Sequence, residues 1–255
     1  DRGLDDQEIN GYLQPMLDAA WSLEEGLDRI PLFNDAGNNV AKSLQALVSA
    51  CKMHFDIIPE YKSRFVDSGF YIFKQNDWKL IVDAGQPGPV YIPGHAHCDA
   101  MSFELFKAGK PVIVNCGTYA YQCKERSFFR STVAHNTVMA NDTEQSQCWG
   151  AFRMAKRCKV NVVSVSENSI VIELMDQSGQ VIKRIIHFEK TLKVMDESSE
   201  NKLTAFVHPI REIDMIFEGD AKATSQQYAP EYGELVSLEA VKYEGNGKIS
   251  VEICI

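Results

Sequence analysis

The sequence predicts a mainly β fold, an antiparallel β-sandwich that a few α-helices precede. From Ser68 onward, apolar and polar residues alternate with a period of two, which is the spacing of side chains on one face of a strand. The strand-like runs are short, and turn signals such as Ser178-Gly179 separate them. This pattern is typical of an antiparallel sandwich and not of alternating strands and helices.

The first part of the chain, residues 1–66, is predicted to be helical. Apolar residues recur at helical spacing from residue 9 to residue 21, and we interpret Pro15 as the mark of a helix start. A loop is predicted at residues 30–38, followed by a second helix with Asn39 as its N-cap and Pro59 at its end. Two or three helices cannot enclose a core, so we expect them to pack on the β-rich part.

The second part, residues 67–255, is predicted to form the sandwich. Its first element is a hairpin in which a turn at Asn76-Asp77 joins two strands. Further strands are predicted at residues 111–115, 136–140, 159–165, 169–174, 181–188, 191–194, 203–207, 215–217, 235–243 and 249–255. The domain boundary is expected near residues 65–69.

Composition and charge exclude some classes of function. The net charge of −9 argues against non-specific binding to nucleic acid. The sequence contains no run of about 18 apolar residues, so no membrane span is predicted. Between Lys124 and Lys159, however, seven bases stand against three acids. This basic stretch fits a site for an anionic ligand, or a solvated strand face with scattered Lys and Arg.

Cysteine usage does not predict a disulfide scaffold. The seven cysteines are odd in number and include no C-x-x-C pair, so we expect reduced, buried thiols. Reduced thiols favour a cytoplasmic location over a secreted one.

Histidines mark the candidate site. In an extended segment, His95 and His97 project from the same face, and Gly94 lets the backbone approach a ligand closely. Two adjacent imidazoles can bind a metal or share the work of ligand and proton carrier, although a pair bonded only to backbone carbonyls has the same sequence pattern. A third histidine, His135, begins a polar strand. The other three, His54, His187 and His208, stand singly in apolar surroundings and are predicted to be structural.

Three segments around these histidines resemble the heparinase II/III-like polysaccharide lyases. They are GHAHCDAMSFELFKAGKPVIVNCGTYAYQ, RSFFRSTVAHNTV and EQSQCWGAFR, and the resemblance is good over roughly residues 68–160. The stretch IPLFNDAGNN resembles the end of that family's (α/α) toroid. The resemblance implies that residues 1–66 are the last toroid helices, packed against the sandwich of residues 67–255, with the active site between them.

The resemblance also implies a reaction, which is β-elimination on an anionic, uronate-containing polysaccharide. The substrate carboxylate is neutralised, a base removes the α-proton, and an acid protonates the leaving oxygen. On this basis His95 and Tyr121 are the expected catalytic residues. The expected substrate contacts are Tyr119, Arg130 and Asn136, and bracing of the loop is an equally good role for Arg130.

A divalent metal, zinc or calcium, is expected at His97, Asn115 and His135. Asn115 stands where the family commonly has an aspartate, and a neutral amide is a poorer ligand than a carboxylate. We therefore expect the metal to be weakly held. The family's principal base lies on toroid helices outside this chain, so the chain alone is expected to be inactive. Lyases of the family are often periplasmic, whereas the cysteines favour the cytoplasm, and the location stays open.

Other classes of protein fit less well. A cupin-like metal domain needs an acid three or four residues after the second histidine, whereas Glu104 follows His97 by seven positions. A nucleophilic hydrolase is not indicated, since the chain has no G-x-S-x-G and Cys98 suits a buried thiol. A non-catalytic sandwich that binds carbohydrate or has a structural role stays open, because Asn115 and the short helical part both favour it.

Overall fold

The computed structural model describes residues 6–255. Its helices are α1 (Asp6–Glu24), α2 (Leu44–Phe55) and the one-turn α3 (Arg126–Phe129), which a 3₁₀ turn at Thr132–Ala134 follows. Its strands are β1 (Arg64–Phe65), β2 (Phe70–Gln75), β3 (Trp78–Asp83), β4 (Phe103–Lys107), β5 (Lys110–Ile113), β6 (Val138–Ala140), β7 (Gln147–Trp149), β8 (Arg153–Ala155), β9 (Lys159–Val165), β10 (Ser169–Met175), β11 (Val181–Phe188), β12 (Thr191–Val207), β13 (Met215–Glu218), β14 (Asp220–Tyr228) and β15 (Val236–Cys254).

The strands form two antiparallel sheets and one separate hairpin. The first sheet has five strands in the order β1-β2-β3-β4-β5. The second has eight, in the order β13-β15-β12-β11-β10-β9, with β14 paired to β15 and β6 paired to β12. Strands β7 and β8 form the hairpin. The fold is mainly β with few helices, as the sequence predicts.

The core lies between the two sheets. Burial alternates along β10 and β11, so one face of each strand contributes apolar side chains and the other faces outward. One hydrophobic cluster fills this space. It contains Leu80, Phe103 and Leu105 from the five-stranded sheet and Ile172, Val194 and Val251 from the larger one. The apolar residues alternate with a period of two because each of these strands packs only one face against the core.

The helical segment covers the outer face of the five-stranded sheet. Strand β3 is buried along its whole length because its two faces meet different partners. Leu80 packs into the sandwich core, whereas Ile81 packs against Phe33 and Leu27 from the first part of the chain. Leu23, near the end of α1, belongs to the same cluster, so the end of α1 and the loop after it pack on the sheet, as expected from the inability of the helices to enclose a core. The proposed boundary between residues 66 and 67 is not tested by this packing.

Several expected element boundaries are wrong. Helix α1 runs through Pro15 instead of starting there, and α2 has Ser43 as its N-cap, whose hydroxyl accepts from the Ala46 N–H. Asn39 instead has a φ of 62°, in the left-handed region, and its amide bonds Glu231. Helix α2 ends at Phe55, before the expected proline, because Asp56 adopts a left-handed conformation.

The two long strands of the larger sheet are each continuous where two separate strands were predicted. Strand β12 joins the predicted strands at residues 191–194 and 203–207, because its pairing with β15 shifts register between Glu197 and Lys202 and then resumes. Such a bulge absorbs extra residues without ending the strand. Strand β14 was missed, since its sequence is polar and its side chains are mostly exposed.

No helix within residues 6–255 is long and apolar enough to cross a membrane.

A buried ion pair lies inside the sandwich. Arg184 on β11 and Asp196 on β12 are both fully buried, and the guanidinium donates to the two carboxylate oxygens over 2.7 and 2.8 Å. The remaining guanidinium nitrogen donates to the backbone oxygens of Met101 and Asn136, each over 2.8 Å. Every arm of the charge pair is therefore bonded, which is the condition under which a buried pair is tolerated.

The substitution Asp196→Ala should destabilise the fold strongly, because it leaves Arg184 buried without its counter-charge. We expect a loss of about 3–5 kcal/mol in the free energy of unfolding, measured by urea denaturation. The control is Lys248→Ala, which removes an exposed ion pair with Glu197 and should cost under about 1 kcal/mol. Equal losses in the two variants would contradict the interpretation.

Candidate functional site

The candidate site lies where the helical segment meets one end of the sandwich. Five pieces of chain form it: the loop at residues 30–38, the long connection at 84–102, the segment at 114–125, helix α3 with its 3₁₀ turn, and the tip of the β7–β8 hairpin. None of these pieces is a long regular element. Loops held by a rigid scaffold are the usual place for functional side chains.

Asp35 is the centre of the site. Its carboxylate lies 2.9 Å from Nδ1 of His95 and 2.7 Å from Nε2 of His97. Both terminal nitrogens of Arg126 donate to the same carboxylate. Burial by itself would raise the pKa of Asp35, but the hydrogen bonds from His97 and Arg126 outweigh it and hold that pKa well below its usual range. Asp35 is thus a fixed negative charge that faces three donors.

Asn34 holds the loop that carries Asp35. It has a φ of 52°, a left-handed conformation that asparagine tolerates. Its backbone N–H donates to a carboxylate oxygen of Asp99 over 2.6 Å, and its side-chain oxygen accepts from the N–H of His97 over 3.2 Å. The loop is therefore hydrogen-bonded to the histidine segment through both the backbone and the side chain of Asn34. Burial raises the pKa of Asp99.

His95 is the exposed member of the histidine pair. Its side chain is 69% exposed, whereas that of His97 is fully buried. The His95 ring lies 5.9 Å from the ring of Tyr121 and 5.8 Å from that of Phe152, measured between centroids. Because the carboxylate of Asp35 can only accept, Nδ1 of His95 must donate to it, and Nε2 is then available to a ligand. The two histidines share one carboxylate, as side chains on a common face would, but only one is accessible.

Tyr121 forms an aromatic wall with its neighbours. Its ring lies 5.1 Å from Phe152 and 5.7 Å from Tyr232, and the guanidinium of Arg126 lies 5.2 Å from its centroid. Burial raises the pKa of Tyr121, the charge of Asp35 adds to the rise, and Arg126 opposes it. The phenol is therefore protonated at neutral pH.

His135 lies behind His97, away from the surface. Its Nε2 is 3.3 Å from Nδ1 of His97 and 3.1 Å from the backbone oxygen of Phe129. Burial lowers the pKa of His135 well below the usual value, and the charges of His97 and His208 lower it further. The ring is thus neutral, with Nε2–H directed at Phe129, and its Nδ1 is buried without a hydrogen-bond partner.

The side-chain oxygen of Asn115, the atom that could bind a metal, already accepts a hydrogen bond. Its side-chain oxygen accepts from the backbone N–H of Asn136 over 3.0 Å, and its Nδ2 is buried without a partner. The 3.3 Å between Nδ1 of His97 and Nε2 of His135 matches the separation of two ligands around zinc, each about 2.0–2.1 Å from the metal, once the proton of His135 moves from Nε2 to Nδ1. Calcium would need six or more oxygens. Within residues 6–255, no three His, Cys, Asp or Glu side chains are grouped to hold a metal.

The donors present therefore fit two positions of a zinc site and do not complete it. Two imidazoles alone are fewer than the three or four protein ligands that zinc sites use. The expectation of a weakly held metal at His97, Asn115 and His135 stays a prediction.

The structure favours bracing as the role of Arg130. The side chain is fully buried. Its Nε and one terminal nitrogen donate to the backbone oxygen of Ala96 over 3.2 and 3.0 Å, and the other donates to that of Arg153 over 3.0 Å. The guanidinium thus joins the histidine loop to the β7–β8 hairpin, with its donors directed at backbone and away from solvent.

Asn136 is also buried and structural in its contacts. Its Nδ2 donates to the backbone oxygen of Phe103 over 2.8 Å, and its side-chain oxygen accepts from the N–H of His208 over 2.8 Å. The expected substrate contact of Asn136 therefore has no support in the geometry. Tyr119 is half-buried against the cluster of Phe129 and Ala134. Of the two tyrosines considered, Tyr121 is the one beside His95.

The sequence reasoning missed Asp35, Arg126 and Phe152. The sequence places Asp35 only in a predicted loop, and Arg126 is one of the seven bases of the basic stretch. The signal that could have found Asp35 is its position in IPLFNDAGNN, a polar turn within a segment that already resembled the family. Its partners lie 60 to 91 residues further along the chain, so no local pattern connects them.

Comparisons with known proteins agree on one family. Residues 58–208 match the family model described as heparinase II/III-like, C-terminal. A curated heparin-sulfate lyase of Bacteroides stercoris is 34% identical over 101 residues, which cover 35% of this chain and 14% of that protein.

Solved structures show the same fold. A heparinase III structure superimposes with a TM-score of 0.79 at 16% identity, and covers 98% of this chain and 46% of its own. A heparan sulfate lyase of Pedobacter heparinus gives a TM-score of 0.69 at 16% identity, over 93% of this chain and 46% of that one. This chain thus spans less than half the length of these relatives.

Asp35→Asn should destabilise the protein, because the amide cannot supply the charge that Arg126 and the two histidines face. We expect a loss of about 1–3 kcal/mol in the free energy of unfolding at pH 7. The pKa of Asp35 is depressed on folding, so its contribution is present above the ordinary value of 3.8 and is lost as the pH falls below it.

Urea denaturation of both proteins from pH 7 to pH 2 measures this difference. The gap between wild type and Asp35→Asn should be constant near neutrality and shrink below pH 3.8. Asp220→Asn, at an exposed position on β14, is the control and should change stability little. A gap that persists undiminished at the lowest pH would show that Asp35 acts through packing and not through its charge.

Proposed function

The family match covers more than half of the chain, so the chain belongs to the heparinase II/III-like family, and we propose that it is the β-sandwich part of a polysaccharide lyase. The proposed reaction is β-elimination on a uronate-containing glycan. The observation that carries the proposal is the pairing of the exposed His95, anchored through Nδ1 to Asp35 over 2.9 Å, with the protonated Tyr121 beside it.

The chemistry needs one group that accepts a proton and one that donates it. In the proposed reaction, the proton α to the substrate carboxylate is removed, a carbon–carbon double bond forms, and the bond to the glycosidic oxygen breaks. Alongside the principal base expected outside this chain, we assign a proton-accepting role to Nε2 of His95, whose Nδ1 is engaged by Asp35. Tyr121, whose pKa is raised, supplies the proton to the leaving oxygen.

The proposed substrate is a glycosaminoglycan of the heparan sulfate type. The named relatives are heparin-sulfate and heparan sulfate lyases. On this chain, Arg153, Lys156 and Lys159 are exposed on or just after the hairpin that carries Phe152. These positive charges can bind the sulfate groups of such a glycan, while the rings of Tyr121 and Phe152 can pack against a sugar face. Because the chain spans under half of its solved relatives, the activity is proposed for the whole protein.

A non-catalytic carbohydrate-binding sandwich is the second candidate. Asn115 favours it, because its oxygen accepts from Asn136, and within residues 6–255 no third His, Cys, Asp or Glu side chain joins His97 and His135. Such a protein would bind the same anionic glycans through the exposed bases and the aromatic wall, but it would not cleave them.

The full-length protein should release unsaturated uronate products from heparan sulfate, followed as near-ultraviolet absorbance. His95→Ala should lower the rate by about 100-fold or more, since loss of a general acid or base costs about 10²–10⁴. Its thermal midpoint should barely change, because the side chain is largely exposed.

The matched control is His187→Ala, another partly exposed histidine, whose partner Glu189 lies outside the site. It should retain full activity. Binding of heparan sulfate without any absorbing product, across a panel of uronate polymers, would refute the lyase and support the binding module. A large loss of stability in His95→Ala would instead mark that histidine as structural.

Metal affinity gives a separate test of the buried histidines. We expect the full-length protein to retain less than one equivalent of zinc after dialysis, because residues 6–255 offer only two imidazoles there. Asn115→Asp keeps the oxygen that accepts from Asn136 and replaces the unpartnered Nδ2 by a charged oxygen, so it should raise zinc affinity. Both are measured by isothermal titration and elemental analysis. Tight stoichiometric zinc in the wild type would show that Asn115 is a competent ligand.

A further inference from the structure

Two cysteines meet directly behind the candidate site. The Sγ atoms of Cys98 and Cys148 lie 3.7 Å apart. Cys98 follows His97 and is buried, whereas Cys148 lies on β7 and is half-buried. Both are free thiols, and their separation is a non-bonded contact, since a disulfide bond is about 2.0 Å long. The other described cysteines make no such sulfur–sulfur contact within residues 6–255.

The pair connects two parts of the site wall. Cys98 belongs to the histidine loop, where its N–H donates to the backbone oxygen of Arg130 over 3.0 Å. Cys148 belongs to the β7–β8 hairpin, whose tip places Phe152 against His95. The contacts already described between these parts are non-covalent, and include the bonds from Arg130 to the hairpin backbone. A bond between the two sulfurs would join loop and hairpin covalently.

We propose that Cys98 and Cys148 form a redox-modification site, at which a peroxide converts the two thiols into a disulfide that fixes the hairpin to the histidine loop. The sulfur of Cys148 attacks one peroxide oxygen, the O–O bond breaks, and a sulfenic acid and one water result. The sulfur of Cys98 then attacks that sulfur, the S–S bond forms, and the sulfenic oxygen leaves as a second water. Both sulfurs are oxidised, the peroxide is reduced, and the two thiol protons end in the two waters.

The order of the steps follows from exposure and charge. Cys148 is half-buried and is therefore the more accessible of the two residues, whereas Cys98 is buried. The hydrogen bond with Cys98 lowers the pKa of Cys148, and the charge of Arg130 lowers it further, against the effect of burial. A thiolate is the nucleophilic form of cysteine, so the accessible sulfur is also the more reactive one.

Formation of this disulfide does not depend on lyase activity. The full-length protein is reduced with dithiothreitol, exchanged into buffer, treated with equimolar hydrogen peroxide, alkylated and digested. We expect a peptide pair linked through Cys98 and Cys148, two hydrogens lighter than the reduced pair, which dithiothreitol separates again. Recovery of both cysteines in alkylated form after peroxide would overturn the proposal.

Variants identify the sulfur that reacts first. Cys98→Ala should accumulate a sulfenic acid on Cys148, which a dimedone probe labels, and Cys148→Ala should leave Cys98 unmodified. Cys148→Ala tests the proposal independently if Cys98→Ala fails to fold, because its side chain is only half-buried. The control is Cys158→Ala, which removes another buried thiol, at a residue whose backbone N–H donates to the hydroxyl of Ser146, and it should keep the linkage. A linkage that includes Cys158 would contradict the assignment.

Hydrogen exchange tests the structural consequence. In the oxidised protein, amides at residues 147–155 should exchange several-fold more slowly than in the reduced protein, because the hairpin can no longer open away from the loop. The amides of β14, an exposed strand far along the chain, serve as the internal reference and should not change. Equal exchange at residues 147–155 in both states would show that the disulfide does not fix the hairpin.

Discussion

One guanidinium, that of Arg184, sets the position of the site relative to the sandwich. It is buried with Asp196 between two neighbouring strands, and it also binds the backbone oxygens of Met101 and Asn136. Those two residues lie at the ends of the segments that carry the histidines of the site. A buried charge tolerates little displacement, because any broken arm is left without water to replace it. The core of the sheet thus fixes two loops that are themselves irregular.

A second charge, the carboxylate of Asp35, organises the site from the other side. It comes from the helical segment, yet its partners His95, His97 and Arg126 all belong to the β-rich part. The site therefore exists only where the two parts of the chain meet. Because Asp35 engages Nδ1 of His95, the same contact that holds the helical loop also selects the nitrogen that faces a substrate. Stability and the proposed proton transfer rest on one hydrogen-bonded group.

The aromatic wall and the cysteine pair extend this arrangement outward. Phe152 reaches His95 only because the hairpin behind it is held by Arg130 and lies against the histidine loop at the two sulfurs. The hairpin is a small two-stranded unit outside both main sheets. Isolated hairpins are marginally stable, so side-chain contacts decide its position. A change in those contacts would reach the exposed histidine directly.

The sequence by itself determined the mainly β sandwich, most of its strands, and the histidines around which the site is built, because alternation and motif spacing are local properties. Only the tertiary structure brought in Asp35, whose partners are 60 or more residues away. It also decided between surface and interior. Arg130 and Asn136 have the polar side chains of substrate contacts, but both are buried and bonded to backbone. Burial depends on what packs above a residue, and no local pattern encodes that.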